Sequence, residues 1–385
     1  MNERQRFLAT MRYEPRDRCP ICDFSFWPET IDLWREQGLP AWVGRNYDAT
    51  TQMKFFGTES YSDGPGGNPG MHPSFESRVL EDLGDEEIVQ DGYGVSFRRH
   101  KTQASIPMYL DHTLKDRASW EKHFKWRFDG TDPKRFPSDW DAARKVWNDP
   151  EYPAPRRVWM GSFYGWIRDM MGVEGVSYIV YDDPALFEEM VVTMTDCKVA
   201  VLQRLLAEGG KFDVCSMWED MCYNAGPLLS PEHFKRYLVP QMKRVTEPLR
   251  AAGCTIIYTD CDGKIDELIP LWLDAGVNCM FPIEVGTWGA DPVAYRRQYG
   301  RELLMMGGFG KATLAAGPRA IEREVLRLAP LVEEGGYIPM PDHRVPPDVT
   351  FESYLYYLKA ARRVWGRDLP NLKPLGEPEP VAARD

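Results

Sequence analysis

Nothing in the 385-residue chain is apolar for long enough to cross a membrane: no run reaches the roughly eighteen residues that a spanning helix needs. Positive charge is also in deficit, with 47 Lys and Arg against 58 Asp and Glu, and the net charge of −11 is spread along the chain and not gathered in a tail. That balance disfavours a nucleic-acid groove and an anionic membrane surface as partners, and leaves a small molecule or another protein. Disulfide framework spacing is missing too. The eight cysteines, at 19, 22, 197, 215, 222, 254, 261 and 279, sit mostly inside apolar runs such as Val214-Cys215-Ser216-Met217, as expected of a reduced, cytoplasmic protein. The first residues, Met1-Asn2-Glu3-Arg4-Gln5-Arg6, open a polar amphipathic helix and lack the basic-then-apolar order of an export leader. No internal repeat and no low-complexity block stands out, and histidine is scarce, with six in all.

The hydrophobic fraction of 43% suffices for a large core. From about residue 155 short β-rich runs alternate with longer helical stretches, the pattern of βα units around a parallel sheet. Strands are expected at 157–162, 212–218, 254–260, 277–283, 302–308 and 336–340, with helices near 184–208, 230–252, 264–275, 291–299, 317–333 and 349–365. Ser230-Pro231-Glu232 and Asp291-Pro292 mark helix starts, each placing a capping side chain before a proline at the first helical position. A helix over 2–11 and one more strand, Cys19-Pro20-Ile21-Cys22-Asp23-Phe24, bring the strands to seven of the eight that a closed barrel requires. The stretch 38–155, rich in Gly, Pro, Trp and charge, reads as a long insertion after the first strand, with a hairpin around Tyr93–Arg99. The expected fold is therefore an α/β (β/α)8 TIM barrel in a single domain, 1–366, with 38–155 as a lid region. The tail 367–385 is Pro-rich and charged, the composition of a disordered segment.

Chemistry in a parallel α/β protein sits where strands end. Two exits stand out: Tyr258-Thr259-Asp260-Cys261-Asp262-Gly263 and Pro341-Asp342-His343-Arg344. Asp260 and Asp262, at i and i+2 of an extended segment, point the same way, so they can share a proton or hold a cation. The plainer alternative has Asp262-Gly263 making a turn and Asp260 capping a helix. His343 can act as general acid or metal ligand, or simply bond to loop backbone. A third exit, Trp218-Glu219-Asp220-Met221-Cys222-Tyr223-Asn224, offers acid, phenol and amide groups. Glu284 follows Phe281-Pro282-Ile283 in the same way, and Lys311 follows a glycine pair as a candidate anion anchor. Cys19-x-x-Cys22 lacks a second cysteine pair and reads as core. Among the aromatic residues Trp27 and Tyr164 are placed nearest the pocket.

The chain resembles the uroporphyrinogen decarboxylase superfamily. The resemblance rests on Glu3-Arg4-Gln5-Arg6-Phe7-Leu8 leading to Asp17-Arg18-Cys19-Pro20, then Gly226-Pro227-Leu228-Leu229-Ser230-Pro231-Glu232, Pro282-Ile283-Glu284, Gly307-Gly308-Phe309-Gly310-Lys311 and Val345-Pro346-Pro347-Asp348, in family order over nearly the whole chain. It implies a (β/α)8 barrel and an enzyme, either a decarboxylase or a methyltransferase working with a corrinoid protein. The true decarboxylases carry an arginine-containing Met-Arg-Gln-Ala-Gly-Arg segment after the first strand. Asp23-Phe24-Ser25-Phe26-Trp27-Pro28-Glu29 has no arginine there, which disfavours uroporphyrinogen itself as substrate. The methyltransferases carry His-x-Cys-Gly and a later Cys before Pro-Pro, together binding zinc. That pattern falls on Asp260, Asp262 and His343, so the implied ligands become oxygen and nitrogen, with Glu219 or Glu284 completing a site for zinc or another divalent ion.

The resulting expectation is a corrinoid-protein-dependent methyltransferase or demethylase taking a methyl from an O- or N-methyl small molecule. Asp260, His343 and Glu219 are its catalytic candidates, Tyr223, Asn224, Trp27, Tyr164, Glu284 and Lys311 its substrate contacts, and Asp260, Asp262 and His343 its metal ligands. The expected partners are the methyl donor and a corrinoid-binding protein, with a homodimer as an open option. A carboxy-lyase using Arg98, Arg99, Arg168 or Lys311 to hold a carboxylate is the alternative, and a non-catalytic ligand-binding barrel the third reading.

Overall fold

A computed structural model describes residues 1–45, 48–102, 107–286 and 288–366. The expected tail, 367–385, lies outside them. The chain divides into two compact units, one formed by 63–152 and 156–281, the other by 1–62, 153–155 and the residues from 282 on. Among the described residues no helix is long and apolar enough to cross a membrane.

Among the described residues the unit 63–152 with 156–281 holds two larger sheets and a two-stranded ribbon. An antiparallel sheet runs in the order β1 (Arg78–Asp82), β2 (Glu86–Gln90), β3 (Val95–His100) and β4 (Met108–His112), with Val89 opposite Phe97 and Phe97 opposite Tyr109. The hairpin expected near Tyr93–Arg99 is its β2–β3 turn. The second sheet is parallel: β5 (Arg157–Trp159), β6 (Val214–Trp218), β9 (Ile256–Asp260) and β10 (Cys279–Phe281), with the small ribbon β7 (Cys222–Tyr223) and β8 (Gly226–Pro227) between β6 and β9 in sequence. Cys215 lies between Val158 and Ile257, and Asp260 between Trp218 and Phe281. The first four residues of β6 and of β9 are buried on both faces, which is why they read as unbroken apolar runs.

Helix Gly165–Asp182 escapes the sequence reading, since Gly165, Gly172 and Gly175 weaken its helical pattern. It kinks at Gly172, whose φ of 82° needs a glycine and whose missing side chain admits the His112 ring: a Cβ there would stand 2.9 Å from it. Helix Pro184–Ala207 follows as expected, starting on Asp183, whose carboxylate accepts from the Leu186 amide. Ser230 caps its helix as expected, accepting from the His233 amide.

The other unit holds β11 (Leu304–Phe309) and β12 (Tyr337–Pro341), parallel, with Met306 opposite Ile338. Helices Glu3–Met11, Pro292–Tyr299, Pro318–Glu334 and Phe351–Val364 match the sequence; Pro28–Glu36 and Ala49–Phe56 were not foreseen. Phe26, Trp34, Phe56 and Tyr354 pack ring against ring in its core, with centroids 4.9–5.8 Å apart. The expected strand Cys19–Phe24 is not one. It runs without a ladder because Pro20 has no N–H, Cys19 N donates to the Trp365 carbonyl and Ile21 N to the Glu59 carboxylate; only Phe26 makes a bridge, to Val345.

Candidate functional site

The exits of β6 and β9 converge. Asp220, Asp260 and Asp262, each half-buried, bring one carboxylate oxygen apiece to within 4.8 Å of one another. Asp260 ends β9, and its carbonyl accepts from Glu219 N at 2.8 Å. Cys261 N then donates to Phe281 at 2.9 Å, and Gly263, at φ 91°, turns the chain so that Lys264 N reaches the Tyr223 carbonyl at 3.0 Å. The turn expected of Asp262-Gly263 is therefore present, and both aspartates still face the cluster.

Asp220 has φ 39°, a left-handed backbone that costs a non-glycine residue about 1 kcal/mol or more. Arg168 holds it there: one guanidinium nitrogen donates to the Asp220 carbonyl, another lies 3.9 Å from its carboxylate, and the group sits over the Trp218 ring. The Asp262 amide points at the Asp220 carboxylate at 3.4 Å. Burial, and then the charge of Asp262, push the Asp220 carboxyl up to about 6, with Arg168 pulling back.

The folded chain therefore keeps a proton on Asp220 between about pH 4 and pH 6 that the unfolded chain releases. Stability falls as pH rises through that window, and the penalty remains above it. Asp220→Asn should accordingly raise the unfolding free energy at pH 8 by about 1–2 kcal/mol, the shift being discounted for a side chain 29% exposed. The gain should shrink towards pH 5 in urea titrations, and an equal gain at both pH values would contradict this origin.

Glu219, expected as a catalytic group, instead has no exposed surface. Its carboxylate accepts from Ser162 Oγ (2.8 Å) and from the amides of Phe163 (2.9 Å), Tyr164 (2.9 Å) and Gly165 (3.3 Å). These groups open helix Gly165–Asp182, which has no side-chain cap of its own, so Glu219 satisfies otherwise orphaned donors and meets the positive end of the helix dipole. Beside it Lys198, wholly buried in helix Pro184–Ala207, lies 4.2 Å from the Trp166 ring centroid and 4.8 Å from that of Phe163, with no hydrogen-bond partner for its amine among the described residues. Burial pushes its amine down and the Glu219 carboxyl up.

Tyr164 is buried near Arg168 and Cys222, its phenol pushed up by burial. Tyr223 is 48% exposed at the end of β7, and Asn224 is exposed in the β7–β8 turn. The remaining candidates belong to the other unit. There the His343 ring stacks on Phe24 at 5.4 Å and leans against Trp27 at 6.2 Å, with Arg344 over the Trp27 ring. Among the described residues the third member of the carboxylate cluster is Asp220, which follows Glu219 at the β6 exit. Glu284 accepts from Lys311 Nζ at 2.9 Å and from Trp288. Fully buried Asp342 takes the amides of Lys311 (2.8 Å) and Val285 (3.1 Å), bracing the β12 exit.

An all-carboxylate donor set fits a hard divalent cation such as Mg²⁺ or Mn²⁺ better than it fits zinc, which favours nitrogen and sulfur. Asp220, Asp260 and Asp262 would hold it.

Residues 155–364 match the Uroporphyrinogen decarboxylase (URO-D) family. The curated uroporphyrinogen decarboxylases of Methylococcus capsulatus, Nocardia farcinica and Thermus thermophilus are 24%, 27% and 25% identical over 179, 182 and 194 residues, spanning 45%, 46% and 49% of this chain. The matches reach only about half the length of these relatives, at 47%, 48% and 52%. A methyltransferase from Methanosarcina mazei superposes with a TM-score of 0.59 at 14% identity, covering 94% of this chain and 99% of the other, a likeness of fold. The fold class is thus the α/β TIM barrel expected from the sequence, and the chain belongs to the uroporphyrinogen decarboxylase family.

Proposed function

We propose that the chain is a methyltransferase that removes a methyl group from an O- or N-methyl small molecule and passes it to a cobalt corrinoid carried by a partner protein. The convergence of Asp220, Asp260 and Asp262 at two strand exits carries this reading. Breaking a methyl–oxygen or methyl–nitrogen bond needs help for a poor leaving group, given by a proton or a Lewis acid. A carboxyl held up to about 6 can donate a proton near neutrality, which makes Asp220 the general acid and Arg168 the group that positions it. Asp260 and Asp262 hold the leaving atom's side of the substrate, or a hard cation that would polarise it. The exposed Tyr223 and Asn224 border the substrate. The bound corrinoid supplies the methyl acceptor. The methyltransferase named among the structural neighbours is consistent with this chemistry.

A decarboxylase is the second reading, favoured by the names of the curated relatives. It needs a cation to hold a carboxylate, but every candidate already has an acidic partner: Arg98 with Glu86, Arg99 with Glu87, Arg168 with Asp169 and Lys311 with Glu284. Mixing the protein with a cobalt(I) corrinoid protein and a panel of methoxylated and N-methylated compounds should produce the methyl–cobalt absorption change for at least one of them. No change across the panel, with carbon dioxide released from a small acid, would replace the first reading with the second.

A further inference from the structure

Of the eight cysteines only Cys222 is more than marginally exposed; the other seven are buried. Its thiol lies near enough to that of Cys261 to bear on its ionisation. Cys261 is fixed in turn, its sulfur accepting from the Met221 amide at 3.4 Å and donating to the Asp262 carbonyl at 3.5 Å. The main chain enforces the meeting. Gly263 lies so close to β7 that a Cβ there would stand 2.6 Å from the Cys222 carbonyl carbon and 2.8 Å from the Tyr223 nitrogen, and the Lys264–Tyr223 hydrogen bond closes the contact. Two cysteines from different strand exits are thus held side by side by the main chain, one partly exposed and one buried.

We propose that Cys222 and Cys261 form an oxidisable dithiol, closed to a disulfide by hydrogen peroxide. The Cys222 sulfur attacks the peroxide, the O–O bond breaks, one water leaves and a sulfenic acid remains. The Cys261 sulfur then attacks the Cys222 sulfur, the S–O bond breaks, and hydroxide leaves with the Cys261 proton as a second water. Two electrons pass from the thiols to the peroxide, and two thiols with one peroxide give one disulfide and two waters. Because Cys261 stands between Asp260 and Asp262, the bridge ties the turn bearing these carboxylates to β7. The dithiol does not depend on the methyltransferase reading.

Graded hydrogen peroxide on the native full-length chain, followed by denaturation, alkylation and mass spectrometry, tests this. The expected result is a fall from eight alkylatable thiols to six, a crosslinked peptide pair containing Cys222 and Cys261, and full reversal by a reductant. A monofunctional thiol reagent should label Cys222 at least about 10-fold faster than any other cysteine, as its exposure requires. Cys222→Ser should abolish the loss of thiols, whereas Cys261→Ser should leave Cys222 as a sulfenic acid trapped by dimedone. The inference is overturned if native Cys222 proceeds to sulfinic acid with Cys261 still free, if the first disulfide joins another pair or two chains, or if no thiol is lost before the protein unfolds.

Discussion

Replacing Asp260 by Asn is expected to slow the proposed methyl transfer to a corrinoid partner by roughly 100-fold or more, the contribution of a well-placed acid, base or ligand. Stability should hold or rise slightly. Asp260 is half-buried beside two other carboxylates, so the amide relieves like-charge repulsion, and its backbone carbonyl still accepts from Glu219. A readout independent of turnover separates its possible roles. If the cluster takes a hard cation, saturating Mn²⁺ or Mg²⁺ should stabilise the parent by about 2.7 kcal/mol at a hundredfold excess over Kd, and Asp260→Asn should lose that response. Lost activity without any cation response in the parent assigns Asp260 to proton transfer or substrate orientation. Unchanged activity in the presence of a working methyl donor removes it from the site.

Glu219→Ala should be the most damaging single change to the parallel-sheet unit, costing about 3–5 kcal/mol of unfolding free energy. The alanine strands three buried helix-start amides and a hydroxyl that have no other acceptor among the described residues. Glu219→Gln should fall between, since one amide oxygen serves only part of the donor set. Urea unfolding followed through tryptophan fluorescence checks both, and a loss of less than about 1 kcal/mol in Glu219→Ala would show that the helix start finds other partners. Residual activity of the folded Gln variant should drop through Asp220, its chain neighbour. A reduced rate with an unchanged KM, recovered in Glu219→Asp, would separate positioning from substrate contact.

The parallel strands were legible because burial on both faces leaves apolar runs such as Val214–Met217 with no polar alternation to confuse them. Their exits were legible for the same reason, as the first polar residues after each run. Which exit residue faces the cluster was not. Glu219 and Asp220 are adjacent, successive side chains in an extended chain point opposite ways, and the left-handed turn at Asp220 settles which of them reaches the cluster. No local pattern announces that turn. The segment Cys19–Phe24 misled for a related reason: it is apolar and extended, but its amide partners are a distant carboxylate and a distant carbonyl, which composition does not reveal. Helix Gly165–Asp182 was hidden by glycines whose use lies in tertiary packing, the clearest being Gly172 beneath the His112 ring.

Lys198 has a use that its packing did not suggest at first sight. Burial favours the unprotonated, nucleophilic amine, yet the rings of Trp166 and Phe163 and the body of its own helix shut it away from any reagent. Acylation of this one amine therefore counts local openings of helix Pro184–Ala207 from the ring pair. In an experiment timed against hydrogen exchange it serves as a native clock for the foldon that carries Glu219 and the carboxylates beyond it.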